Sequence, residues 1–403
     1  MATIAVLGTL DTKGQEHAYV ADLIRKRGHR VVLIDTGTGN PPTVVPDVSR
    51  EEVAKVGGVD LPAVLEKKDR GEAVTAMAQA SAKCLLDLVE SGRVDGVISL
   101  GGGGGTAISS SAMRALPIGF PKVMVSTLAA GNVAPYVGTK DIVMMPSIVD
   151  VSGINRLSRV LLARAAGAIC GMVEVEPPAG DDKPLICASM FGNTTECVNA
   201  AKQIMEDAGY EVLVFAATGT GGRIMESLIE SGMITGVLDI TTTEWADELV
   251  GGVLNAGPTR LEATGKKGLP AIVVPGCLDM VNFGERASVP AKFADRLFYQ
   301  HNPQVTLMRT SPDECAELGQ ILAEKVNAYT GPVTVLLPKK AISVISAEGG
   351  AFHDPVADEA LFNSIKKHLN PAVPVVEMDC VINDPSFAKA CAETLLNHLQ
   401  KKG

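Results

Sequence analysis

Short runs of aliphatic and β-branched residues alternate with helix-periodic segments along almost the whole chain, and the second half repeats the first in the same order. In the first half Ile4 to Leu7, Val31 to Ile34, Val94 to Leu100, Val123 to Val125 and Ile142 to Met144 have the length and composition of strands. Helical patterns lie between most of them, the clearest from Gly71 to Glu90, where Val74, Met77, Ala78, Leu85, Leu88 and Val89 fall on one face. Parallel strands need a long crossover between them, so this alternation predicts an α/β fold on parallel sheets. The segment from Asn40 to Asp69, proline-rich at its start and then of mixed charge, reads as an insertion after the second strand.

The repeat can be followed residue by residue. Ile4-Ala5-Val6-Leu7-Gly8 and a helix ending Arg27-Gly28-His29 match Ile186 to Gly192 and a helix ending Ala208-Gly209-Tyr210. Ser91-Gly92-Arg93-Val94-Asp95-Gly96-Val97 is echoed by Ser231-Gly232-Met233-Ile234-Thr235-Gly236-Val237. Matching units in one order predict two similar Rossmann-like doubly wound lobes with a central cleft, residues 1–180 and 181–403, divided at the turn-rich loop Pro177 to Asp182. At 403 residues the chain has the length for two domains.

Composition narrows the function classes. Hydrophobic residues make up 46% and charged residues 20%, as in a globular protein with a large core. No basic stretch precedes the first strand and no apolar run approaches the roughly 20 residues of a membrane helix, so a cytoplasmic protein without membrane contact is expected. A net charge of −10 with 4% aromatic residues argues against a nucleic-acid surface, which needs clustered cations and stacking rings. The eight cysteines contain no C-x-x-C pair and read as reduced core thiols, with only Cys277, in a Pro-Gly-Cys loop, in a setting that hints at reactivity.

In doubly wound sheets ligands bind beyond the carboxyl ends of the strands. The third strand runs into Gly101, Gly102, Gly103, Gly104 and Gly105, followed by Thr106. Without Cβ atoms such a run exposes backbone N–H groups and leads into a helix whose first amides carry partial positive charge, which suits a phosphate or carboxylate. It lacks the Lys-Ser/Thr ending of a Walker A loop, and a hinge or close packing contact is the alternative use. After the first strand, Thr12 and Gln15 fit a capping box, while Asp11 and Lys13 are free for Mg²⁺ and phosphate. In the second half Thr241 and Glu244 fit another capping box, and Gly219-Thr220-Gly221-Gly222-Arg223 forms a second glycine-rich turn. Asp279 and Asn282 offer groups to orient a sugar or metal, and His353 is a candidate acid–base group ahead of the helix start Asp354-Pro355. No G-x-S-x-G, H-E-x-x-H or Cys/His metal spacing occurs.

Taken together, Gly8 to Gly14, Gly101 to Thr106, Pro275 to Phe283 and His353 to Asp358 resemble the uncharacterised bacterial and plant family that includes the N-terminal ATP-binding domain of the tomato mosaic virus resistance protein. The resemblance implies two Rossmann-like subdomains, ATP bound with Mg²⁺, and a homodimer. The plant protein also carries a barrel-like domain resembling phosphoenolpyruvate-using enzymes, so a separately encoded barrel-domain partner is implied. The leading expectation is an ATP-binding protein. Phosphates sit on Gly101 to Gly105, with Lys13 as a point charge, Thr106 or Thr12 as hydroxyl donors and Asp11 holding Mg²⁺. Any reaction is phosphoryl or nucleotidyl transfer to a small organic acid or sugar acid. Two alternatives stand beside it. One is an ATP-independent enzyme on a small carboxylate or sugar phosphate, with His353 and Asp279 moving the proton. The other is a non-catalytic nucleotide-binding regulatory or scaffolding module.

Overall fold

In the computed structural model the chain separates into two compact units, Met1–Ala179 and Gly180–Gly403. The structure describes residues 1–176, 180 and 182–402, so most of the loop Pro177 to Asp182 lies outside the described residues.

The strands of the N-terminal unit are β1 (Thr3–Gly8), β2 (Arg30–Asp35), β3 (Gly96–Gly101), β4 (Lys122–Ser126) and β5 (Val143–Pro146). They form one sheet in the order β2-β1-β3-β4-β5, every pair parallel. Helix α1 (Leu10–Lys26) joins β1 to β2, and α2 (Arg50–Gly57), α3 (Leu61–Glu66) and α4 (Arg70–Glu90) lie between β2 and β3. Helices α5 (Gly103–Arg114), α6 (Ala134–Val137) and α7 (Arg156–Glu174) follow β3, β4 and β5. Because side chains alternate across a strand, Ala5 and Leu7 of β1 pack with α4 and α5, while Ile4 and Val6 pack with α1 and α7. Both faces are therefore covered, which is why the strands are apolar throughout. The insertion after β2 is ordered by its own caps. Ser49 and Glu52 form a capping box at α2, and Asp60 accepts from the Ala63 N–H at α3.

The C-terminal unit contains strands β6 (Leu185–Met190), β7 (Glu211–Ala216), β8 (Ile234–Thr241), β9 (Ala271–Gly276), β10 (Met280–Phe283), β11 (Phe298–Asn302), β12 (Val305–Arg309), β13 (Val333–Pro338) and β14 (Val375–Met378). Its helices are α8 (Thr195–Asp207), α9 (Thr220–Glu230), α10 (Glu244–Val250), α11 (Glu262–Lys266), α12 (Pro312–Asn327), α13 (Pro355–His368) and α14 (Pro385–Lys402). The parallel sheet runs β7-β6-β8-β9-β13-β14, the order of the first sheet with one strand added beyond its fifth. The chain is thus α/β with two Rossmann-like, doubly wound units. A three-stranded antiparallel sheet, β10-β12-β11, is inserted after β9. It takes up Met280 to Phe283, a stretch the sequence reading treats as loop.

Candidate functional site

In a sheet ordered 2-1-3, the connections leaving β1 and β3 go to opposite faces, and a crevice opens between their carboxyl ends. At that point of the N-terminal unit lies a cavity of about 500 Å³, within the usual range of small-molecule sites. One wall is the start of α1 with Thr9, Asp11, Thr12 and Lys13, and another is Gly102 to Gly105 with Ile108 of α5. The segment after β2 supplies Thr38 and Gly39, Val64 and Leu65 of α3, then Lys68 and Asp69, and α4 adds Arg70, Ala73 and Val74.

The five glycines have different reasons to be glycine. A Cβ on Gly101 would stand 2.9 Å from the backbone of Gly105 and Thr106, so packing alone requires that residue. Gly103 has nothing within 4 Å of its Cβ position, and the nearest atoms at Gly102, Gly104 and Gly105 are 3.6–3.8 Å away, ordinary contact distance. Nor does any of these four adopt the left-handed backbone that favours glycine. Gly102 occupies the N-cap of α5 and brings no side chain to cap it. The first N–H groups of a helix have no partners within it, and here the residues that carry them line the cavity.

The start of α1 is built differently from the expected cap. The helix begins at Leu10 with Thr9 at its N-cap, so Thr12 lies inside the first turn and no capping box with Gln15 forms. The Thr12 hydroxyl instead pairs with the Thr9 hydroxyl and donates to the Asp11 carboxylate, each at 3.3 Å. Asp11 accepts the Gly39 N–H at 2.9 Å, while Arg50 holds the Gly39 and Asn40 carbonyls at 2.9 and 2.8 Å. Lys13 leaves helical geometry, with φ −127° and ψ 22°. Its carbonyl meets Nδ1 of buried His17 at 2.7 Å, and burial lowers the His17 pKa, keeping the ring neutral. That ring lies over Gly8, where any side chain would overlap it. Behind this turn, burial raises the pKa of Asp35, whose carboxylate accepts from Leu10 and Gly37 at 3.1 and 2.8 Å.

Asp11, Thr12, Lys13 and Gly102 to Gly105 therefore share one cavity. Thr106 does not reach it: its fully buried hydroxyl pairs with Ser126 at 2.7 Å and fixes α5 to β4. Lys68 and Arg70 are cavity cations that the sequence reading left inside the insertion and at the edge of a helix. The basic run Lys67-Lys68-Asp69-Arg70, directly before a strong helical pattern, was the available signal. Among the described residues no ion pair engages Lys13, Lys68 or Arg70. No cluster of three or more His, Cys, Asp or Glu is placed to hold a metal among the described residues. Asp11 and Asp69 are the cavity's two carboxylates.

In the C-terminal unit, Asp279 is fully buried, its Oδ2 accepting from Ser343 at 2.7 Å, and burial pushes its pKa up to about 6. His353 is exposed on a separate cavity of about 540 Å³ with Lys339, Glu348 and Asp358, and Asp279 does not line it. Asn282 binds buried Asp247 at 2.7 Å. Cys277 is fully buried in a left-handed backbone at φ 60°, and burial pushes its thiol well above the usual range, so it packs and stays unreactive. The turn at Gly219 to Gly222 starts α9, but its Gly219 and Gly222 N–H groups donate to Glu244 at 2.7 and 3.1 Å. Glu244 is thereby diverted from the expected capping box, and Thr241 pairs with Thr194 at 2.8 Å.

Fold and cavity define a doubly wound α/β protein with a cation-lined, glycine-walled crevice at the switch point of its first sheet. Residues 2–178 match the N-terminal domain of the Uncharacterised protein family (UPF0261), and residues 183–399 match its C-terminal domain. The chain belongs to this family. It is 51% identical over 400 residues to the UPF0261 protein of Clostridium tetani, covering 99% of both chains. It is also 43% identical over 342 residues to the ToMV susceptible protein tm-1(GCR26) of Solanum lycopersicum, covering 83% of this chain and 45% of the tomato protein. With the ToMV resistance protein Tm-1(GCR237) of the same plant it shares 43% over 335 residues, 81% of this chain and 44% of that one. The chain thus spans about half the length of the tomato relatives. None of its described helices is long and apolar enough to cross a membrane.

Proposed function

We propose that the N-terminal unit binds a nucleotide, ATP with Mg²⁺, in the cavity at the β1–β3 switch point. One observation carries the reading. Among the described residues no close contact requires Gly102 to Gly105 to be glycine and no ion pair engages the cations of the cavity they wall, so the absent Cβ atoms leave room for a ligand. The N–H groups of α5 receive phosphate oxygens, Lys13 adds a point charge, and Thr12 donates a hydroxyl from the rim. Asp11 holds Mg²⁺ together with phosphate oxygens, because this small hard ion commonly takes a single carboxylate beside its nucleotide. Thr106 has no part in binding, its hydroxyl being engaged with Ser126.

The reading includes phosphoryl or nucleotidyl transfer to a small organic or sugar acid, in a cytoplasmic homodimer with a separately encoded barrel-domain partner. Its support is the family resemblance. The first test is thermal shift with ATP, ADP, AMP, sugar acids and sugar phosphates, with and without Mg²⁺. A ligand at 100 times its Kd adds roughly 2.7 kcal/mol. A Mg²⁺-dependent ATP shift is expected, and it should vanish in Gly103→Val while the ligand-free melting temperature stays put. A sugar-acid shift without any nucleotide shift would replace the nucleotide by a simple anion.

A further inference from the structure

We infer that Arg70, seconded by Lys68, closes the outer side of the glycine cradle and makes the cavity select by charge number, preferring ligands with two or more linked phosphates over monophosphates and monocarboxylates. This deepens the nucleotide reading and rests on it.

The cation balance is the starting point. Among the described residues Lys13, Lys68 and Arg70 line one cavity without a carboxylate partner, while its two acids accept backbone N–H groups, Asp11 from Gly39 and Asp69 from Glu72, both at 2.9 Å. Accepting an N–H leaves a carboxylate charged, so the lining carries three cations against two anions. With Mg²⁺ on Asp11 it would be net +3, which a ligand with two or more anionic groups balances better than one with a single group.

Geometry then singles out Arg70. Its Nη2 lies 3.7 Å from the point where a Cβ on Gly104 would sit, so an anion taking the amides of this first turn also meets the guanidinium. A planar guanidinium can grip two phosphate oxygens at once, which an ammonium cannot. Local stability gives no reason for a cation here. Arg70 is the first residue of α4, directly after the N-cap Asp69, where the helix dipole disfavours positive charge. Val64, Leu65, Val74 and Ile108 add apolar lining to the cavity for the organic part of a ligand.

The experiment is calorimetric titration of the wild-type protein, Arg70→Gln and Lys68→Ala with ATP, ADP, AMP and inorganic tripolyphosphate at fixed Mg²⁺ and ionic strength. Wild type is expected to bind ATP and ADP at least about tenfold more tightly than AMP, and to bind tripolyphosphate. Arg70→Gln should weaken ATP roughly ten- to hundredfold, the range of a lost charge-assisted hydrogen bond, and change AMP little. Lys68→Ala should act in the same direction and less. Both residues are exposed, and the ligand-free melting temperature of each variant should match wild type. If wild type binds ATP and both variants keep its full preference over AMP, the inference fails while the nucleotide reading stands. If wild type binds none of the four compounds, the nucleotide reading falls and takes this inference with it.

Discussion

The starts of α5 and α9 use one backbone device and end in opposite states. Each is a glycine-rich turn at a helix N-terminus, offering amides that have no partner within the helix. At α9 the chain supplies the anion itself. Glu244 Oε1 takes the Gly219 and Gly222 N–H groups, and its Oε2 accepts from Arg260 Nε at 2.7 Å. Arg260 also binds Asp239 at 2.6 Å and Glu226 at 3.2 Å, and the whole cluster is buried. At α5 no carboxylate among the described residues is seen to accept from the first amides, and Lys13, Lys68 and Arg70 line the cavity beside them. The difference teaches that a glycine-rich helix start states a need for negative charge without saying who meets it. An internal carboxylate makes it architecture, and its absence leaves the need to a ligand.

The strongest way to break this comparison is to remove the cation behind the internal anion. Arg260→Ala would leave Asp239, Glu226 and Glu244 buried without a counter-charge, and a loss of about 3–5 kcal/mol in urea unfolding is expected. A loss below about 1 kcal/mol would mean the cluster is not a sealed structural unit.

Protonation probes the same interior more gently. Asp247 is buried near Glu244, and burial chiefly pushes its pKa up to about 7. Because this lies above the value of an unfolded chain, the folded state binds the proton more tightly. The group's contribution to stability is therefore fully present below about pH 4 and is lost as pH rises through 7, by up to about 4 kcal/mol. Asp279, pushed up to about 6, acts in the same direction. Asp247→Asn should flatten the dependence of the urea midpoint between pH 5 and pH 8, and an unchanged slope would remove Asp247 as its source.

A matched pair of glycine replacements gives the smallest and sharpest contrast. A Cβ on Gly222 would overlap the Glu244 carboxylate, so Gly222→Ala should cost about 1–3 kcal/mol. Gly103 has open space and no left-handed backbone, so Gly103→Ala should stabilise the ligand-free protein by about 0.4–1 kcal/mol. Equal effects in denaturant melts would erase the distinction between a filled and an open helix start.

Much of the scaffold was legible because it obeys local rules. The β1 and β3 strands, the long helix α4 and the alternation of strands and helices in both units follow from period and repeat, which neighbouring residues set. The glycine run was legible for the same reason, as was its place at the end of a strand. Other features escaped because their causes are distant in sequence. Thr106 looked like a phosphate ligand until β4 brought Ser126 against it. Asp279 and His353 looked like a pair, yet one is sealed against Ser343 and the other faces a separate surface cavity. Arg70 fell between the insertion and the helix from Gly71 and drew no reading, since nothing in its neighbours announces that α4 lies across the start of α5.

The sequence by itself determined two doubly wound units and a helix start stripped of side chains, because strand period, helix period and glycine's missing Cβ act within a few residues. Only the tertiary structure decided which glycine-rich start is filled and which is open. That depends on where Glu244 and Arg260, or Lys68 and Arg70, arrive from other elements, and electrostatic partnership is settled by distance in space.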